Sequence, residues 1–286
     1  MSATLAAAPR AVSGRSTFGT LALREVRRFV VNPVFLFAVG MCVLIGTGDS
    51  DGIVEIDTVV GYPAVFLGGF GMMATYWLTR SMRNSEPVIG VAPTAQPVRT
   101  AALCAVATLP FLCGWLTLFA FLRVFPIGSP VYGAFSEPTQ VAILVGQIVI
   151  PSLGGPLLGV ALGRWVSFPG AAFVLFLLIY GWQNLVTIPS LTHPDSAPLA
   201  ALRLFSPFSF FTYADSGPDV TLWRGSPWFF IGWQLALCAI AALVALLHGA
   251  EGRVRSRIVH ALLIALAVAA VMFVLTNTVG AVPGAS

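Results

Sequence analysis

Three histidines, eleven carboxylates and four cysteines are the side chains in this sequence best suited to metal binding or to acid, base and nucleophilic work. His193 lies two residues before Asp195, and His248 three before Glu251 with His260 further on, so each group offers the raw material of a metal site or an acid–base pair. The carboxylates Asp49, Asp51, Glu55 and Asp57 crowd one short stretch but lack the fixed Asp/Asn/Gly/Glu spacing of a calcium loop, and they read as a solvated acidic turn. Cys42, Cys104, Cys113 and Cys238 each stand alone in an apolar run, without Cys-x-x-Cys spacing, and read as small buried apolar residues. All 15 basic residues are arginine. A phosphate-cradling P-loop and a Schiff-base cofactor site both need a lysine, so nucleotide hydrolysis by that motif and covalent retinal or pyridoxal binding are excluded. The expectation is a chain with no catalytic, metal or cofactor residues of its own.

The elements that must position these groups are set by composition. Of the 286 residues, 57% are hydrophobic and 9% charged, and the mean hydropathy is +0.90, far from the quarter-charged make-up of soluble domains. Seven runs are long and apolar enough to cross the roughly 30 Å hydrocarbon layer as helices: Phe29–Thr47, Val59–Leu78, Ala101–Val124, Val141–Val166, Ala171–Ile188, Trp228–Leu247 and Ile258–Val279. Alternating β patterning is absent from them, and continuous apolar runs select helices. The expected fold is therefore all-α, a polytopic bundle of six to seven transmembrane helices forming one transmembrane domain over residues 1–286, with no room for a sizeable soluble domain. Met1–Thr20 has no apolar core before a small-residue cut site, so the first spanning helix is expected to do the targeting.

Arginine is costly to translocate, which orients the bundle. With the N-terminus cytoplasmic, Arg10, Arg15, Arg24, Arg27, Arg28, Arg80, Arg83, Arg99, Arg164, Arg253, Arg255 and Arg257 gather on the inner face, against Arg123, Arg203 and Arg224 outside. Acidic residues sort the other way, with only Glu25, Glu86 and Glu251 inside. The formal charge of +4 is thus a topology signal, and nucleic acid is not an expected partner. The same topology puts His193 and Asp195 outside but His248, Glu251 and His260 inside, which keeps them from converging on one site.

Five stretches stand out against this frame. Residues 1–31 form a cytoplasmic segment whose Arg24, Glu25, Arg27 and Arg28 sit at helical spacing beside Leu23, Val26 and Val30. Either an interfacial helix facing headgroups or a partner, or an ordinary positive flank, fits this pattern, and Asn32-Pro33 marks the turn into the membrane. Residues 79–100 form the longest internal loop, with Arg80, Arg83, Glu86, Pro93 and Arg99 around a short apolar piece. Gln147, Gln183, Asn184 and Gln234 lie within spans, as pathway groups or as helix–helix hydrogen-bonding groups. Gly155, Gly159 and Gly163 recur every four residues beside Pro151 and Pro156, which suits close helix packing, with a gating hinge as the other reading. Residues 189–227 form an outer loop holding the apolar run Leu202–Phe210, too short to span and suited to a re-entrant segment before the penultimate helix.

Three of these stretches resemble ABC-2 type permeases, the membrane subunits of one class of ABC exporter (type V exporter-like). The run Leu21-Ala-Leu-Arg24-Glu25-Val-Arg27-Arg28-Phe-Val-Val-Asn32-Pro33 looks like their amphipathic helix ahead of the first span. Arg80, Glu86, Val88-Ile89, Pro93-Thr94 and Arg99 follow the order of their inner loop, and Ser206-Pro207-Phe208 resembles the segment after their fifth helix. The resemblance implies a multi-pass permease of the cell inner (cytoplasmic) membrane, paired with a second permease subunit as a homo- or heterodimer. A separate ABC ATPase subunit would bind ATP and Mg and dock on Arg80, Arg83, Glu86, Pro93 and Arg99. Such permeases have six spans, whereas here a seventh, Ile258–Val279, follows the Arg253–Arg257 cluster. Two other readings remain: a secondary active transporter, which would show interrupted helices in matching positions, or a membrane-embedded enzyme using His193, His248 or His260 with Asp195 or Glu251.

Overall fold

The computed structural model describes residues 14–47, 61–89, 96–128, 136–192, 198, 201–202, 204–205, 212–214, 220–222 and 225–279. The acidic stretch 48–57, Pro93, His193, Asp195, Arg203 and Ser206-Pro207-Phe208 lie outside these residues. Among the described residues the chain forms eight helices: α1 (Gly14–Val30), α2 (Pro33–Thr47), α3, π-wound over Ala64–Phe70 and α-helical over Gly71–Ile89, α4 (Gln96–Val124), α5 (Glu137–Trp165), α6 (Ala171–Thr192), α7 (Pro227–Leu247) and α8 (Gly252–Thr278). Two three-residue strands, Thr212–Ala214 and Val220–Leu222, pair antiparallel with Tyr213 opposite Thr221.

Each of the seven expected crossings falls on a helix. Among the described residues, by length and apolar content, four qualify as spans, namely α4, α5, α7 and α8, or five if α1 and α2 count as one broken span, and α6 contributes a shorter apolar stretch over Ala171–Val186. In α3, Gly68, Gly69, Gly71, Tyr76 and Trp77 dilute the hydropathy. Between α1 and α2 the chain bends by 62°. Asn32 Oδ1 accepts from the backbone N–H of Val34 at 2.9 Å, and Pro33 opens the new helix where no N–H is needed.

Small residues let the helices approach. A Cβ on Gly155 would collide with the carbonyl of Gly68, one on Gly159 with the carbonyl of Met72 and the hydroxyl of Thr75, and one on Gly163 would stand 2.7 Å from Thr79 Cβ. The partners advance in step along both chains, so α3 and α5 run parallel, backbone against backbone. Thr75 Oγ1 locks the pair by donating to Pro156 O at 2.8 Å. Elsewhere Gly114 of α4 faces Ser152 of α5, Gly154 of α5 faces Cys238 of α7, and Gly232 of α7 faces Met272 of α8.

In α5 a π-wound stretch, Val145–Val149, runs directly into Ile150-Pro151. Pro151 has no N–H to give the preceding turn, and the adjacent Ser152 Oγ donates to the Ile148 carbonyl at 2.7 Å.

Burial is inverted relative to a water-soluble protein. Arg164 is 0% exposed and Gln147 2%, while Leu116, Leu178, Leu185 and Ile264 are each more than half exposed. An apolar exterior of this extent around a polar-containing interior suits lipid as the surrounding medium.

Candidate functional site

The residues with most chemistry lie together at one end of the bundle, where α1, α3, α4, α5, α7 and α8 meet. Glu25 and Arg28 form an i,i+3 ion pair at 3.0 Å, and Arg28 Nη2 reaches across to Ser81 Oγ of α3 at 3.4 Å. Glu25 is buried, as is Phe29, whose ring packs on Phe35 of α2 with centroids 4.3 Å apart. Thus α1 lies on the bundle through Glu25, Val26 and Phe29, leaving Leu23, Arg24, Arg27 and Val30 exposed. Glu25 is turned into the bundle, with Arg28, partly exposed, beside it. The remaining exposed face mixes cations and large apolar side chains, as an interfacial helix should.

On α3, Tyr76, Arg80 and Arg83 share the side that meets the end of α5. Tyr76 donates its hydroxyl proton to Phe168 O, and Arg83 Nη1 donates to Arg164 O at 3.4 Å. A helix C-terminus leaves carbonyls unsatisfied and carries partial negative charge, so an arginine is well placed there. This corrects the expected loop over 79–100. Arg80, Arg83 and Glu86 stand on α3, which continues to Ile89, and Arg99 stands one turn into α4, which begins at Gln96. The helix passes through Pro87. Arg80 and Arg99 are half-buried.

Arg164 was expected near a helix end and is indeed in the last turn of α5, yet it is the largest fully buried side chain. It adjoins Gly163, so the face that presses on α3 carries it inside. The signal was present, because a residue next to the glycine series is within about 100° of it around the helix. Thr75, Tyr76 and Thr79, which face that series, escaped notice because hydroxyls in apolar runs carry no charge signal. Next door, Trp165 Nε1 donates to Val244 O of α7 at 2.9 Å and its ring meets His248 edge-on at 5.2 Å. Arg253, Arg255 and Arg257 are exposed at the start of α8.

The intramembrane amides are only partly brought together. Gln147, in the π-wound stretch, and Gln234 of α7 are both buried, and a Cβ on Gly146 would sit 3.6 Å from Gln234 Oε1. Gln183 is buried on α6, whereas Asn184 is exposed and donates its amide to Tyr180 O of its own helix. Arg123 is exposed at the opposite end of α4 from Arg99. Among the described residues no group of three or more His, Cys, Asp and Glu could hold a metal ion. His260 Nδ1 is 2.7 Å from Ser256 O, one turn back.

In comparisons with known proteins, no family model, no curated protein and no solved structure matches this chain.

Proposed function

We propose that this chain is the membrane-spanning permease subunit of an ABC transporter, an exporter of the ABC-2 type with six to seven spans, whose ATP-hydrolysing subunit is a separate polypeptide. The observation that carries the reading is the junction at the arginine-rich end, where Arg28 of α1 reaches Ser81 and Arg83 of α3 reaches the end of α5. An ATPase pressing on α1 and on the α3–α4 connection would act on a lever rather than on a loose loop. The glycine-packed α3–α5 pair would carry that displacement into the bundle as one rigid body, giving the two-state behaviour that alternating access needs. The end bearing Arg24, Arg27, Arg80, Arg83, Arg99 and Arg253–Arg257 is then the cytoplasmic one.

The test is gentle purification from the native membrane with identification of any ATPase that accompanies the chain. Glu86→Arg is expected to abolish that association while leaving the chain folded. Labelling of residues 90–95 from outside the cell would place this end on the wrong side for an ATPase and end the proposal.

One observation favours a second reading, a secondary active transporter: π-wound stretches interrupt both α3 and α5, and they contact each other. Transport by vesicles that contain this chain alone, driven by a proton or sodium gradient, would select that reading.

A further inference from the structure

The last helix, α8, packs along α7, and its fully buried residues lie toward its C-terminal end. Although α8 is 27 residues long, only 6% of its apolar window is buried, and its buried residues are Ala269 and Thr276, both in its second half. There, Thr276 O accepts from the N–H of Ser226 at 3.3 Å, and Met272 fills the gap at Gly232 of α7. Phe273 stacks obliquely on Trp233, with centroids 5.4 Å apart, and on Phe205 at 5.3 Å.

Phe205 belongs to a short turn at the end of the bundle opposite the arginines, closed by Leu204 N–H to Ala201 O at 3.2 Å and Phe205 N–H to Leu202 O at 3.3 Å. A turn against an apolar bundle must find donors for its carbonyls. Two indoles from different helices provide them: Trp233 of α7 donates to Leu204 O at 2.9 Å, and Trp182 of α6 donates to Leu202 O at 3.2 Å. The two bonds differ in setting. The Trp233 bond is buried and Leu204 is 5% exposed over a cluster of Phe230, Trp233, Ala236 and Ala269. The Trp182 bond is exposed, on a helix whose Phe173, Leu178 and Leu185 are each more than half exposed.

We propose that α7 and α8 together form the fixed seat of this turn and that Trp182 is its releasable latch. The seat holds Leu204 through Trp233 and Phe273, so movement of α6 breaks the Leu202 bond and swings the turn without unseating it. Neither element depends on what drives the bundle, because both can be read out on the isolated chain.

The test is hydrogen exchange of the amides at positions 204 and 205 in the full chain in lipid nanodiscs, with maleimide labelling of Leu204→Cys as a second readout. Trp182→Phe keeps the ring and removes the donor. Exchange at the turn should quicken about fivefold, the worth of one net hydrogen bond, with labelling of Leu204→Cys unchanged. Phe273→Leu keeps apolar volume and removes the aromatic pair, and it should raise both exchange and labelling, each by about fivefold or more. Unchanged exchange and labelling in Phe273→Leu would overturn the seat. Labelling that rises equally in Trp182→Phe and Phe273→Leu would overturn the division into seat and latch.

Discussion

At the scale of single residues, glycine positions divide sharply by what surrounds them. Gly159→Ala would drive a methyl group into the carbonyl of Met72, which is backbone and cannot swing away. A loss of about 1–3 kcal/mol is expected, read as a lowered unfolding midpoint in mixed micelles. Gly40→Ala on α2 meets nothing within 4 Å, and it should be neutral or stabilise by up to about 1 kcal/mol through helix propensity. Equal effects from the two would mean that the α3–α5 approach does not hold. The two positions look alike in residue type, each a glycine in an apolar helix. Only the four-residue recurrence of Gly155, Gly159 and Gly163 betrayed the difference.

At the scale of elements, the joint between α1 and α2 decides whether α1 lies on the bundle or continues into the membrane. Asn32 caps α2 while Phe29 anchors α1, so Asn32→Ala should remove about 1 kcal/mol of cap stabilisation. The expected outcome is a looser bend, seen as a broader distance distribution between spin labels at Thr20 and Ser81, with the Glu25–Arg28 pair intact. An unchanged distribution would show that Phe29 alone fixes the bend. Asn32-Pro33 was legible as a turn because both residue types are turn formers with known mechanisms. The placement of the Glu25–Arg28 pair against the bundle was not legible, since Arg28 reaches Ser81, which is 53 residues away along the chain.

At the scale of the whole molecule, the surrounding solvent is the governing variable. Ile264 is 65% exposed near the middle of α8, and water would tolerate a charge there. In a bilayer, Ile264→Arg should disfavour insertion of α8 by about 2.5–3.5 kcal/mol. A glycosylation-site reporter placed after residue 286 measures it, and an unaltered crossing efficiency would deny α8 its span. Arg253→Gln, at the exposed start of the same helix, should leave insertion much less affected.

Hydropathy, arginine distribution and the Asn-Pro turn are properties of neighbouring residues, and from them the sequence by itself determined a helical membrane chain, a helix at each apolar run and the grouping of arginines at one end. Tertiary structure alone decided that α3 continues as far as Ile89, well into the expected loop, that Arg164 is interior, that Asn184 faces outward and that α8 closes over Leu204. Each of these depends on which surfaces fit together at a distance. A buried arginine and a surface one have the same transfer energy until a facing helix, here one brought close by three glycines, removes the space where water or lipid would stand.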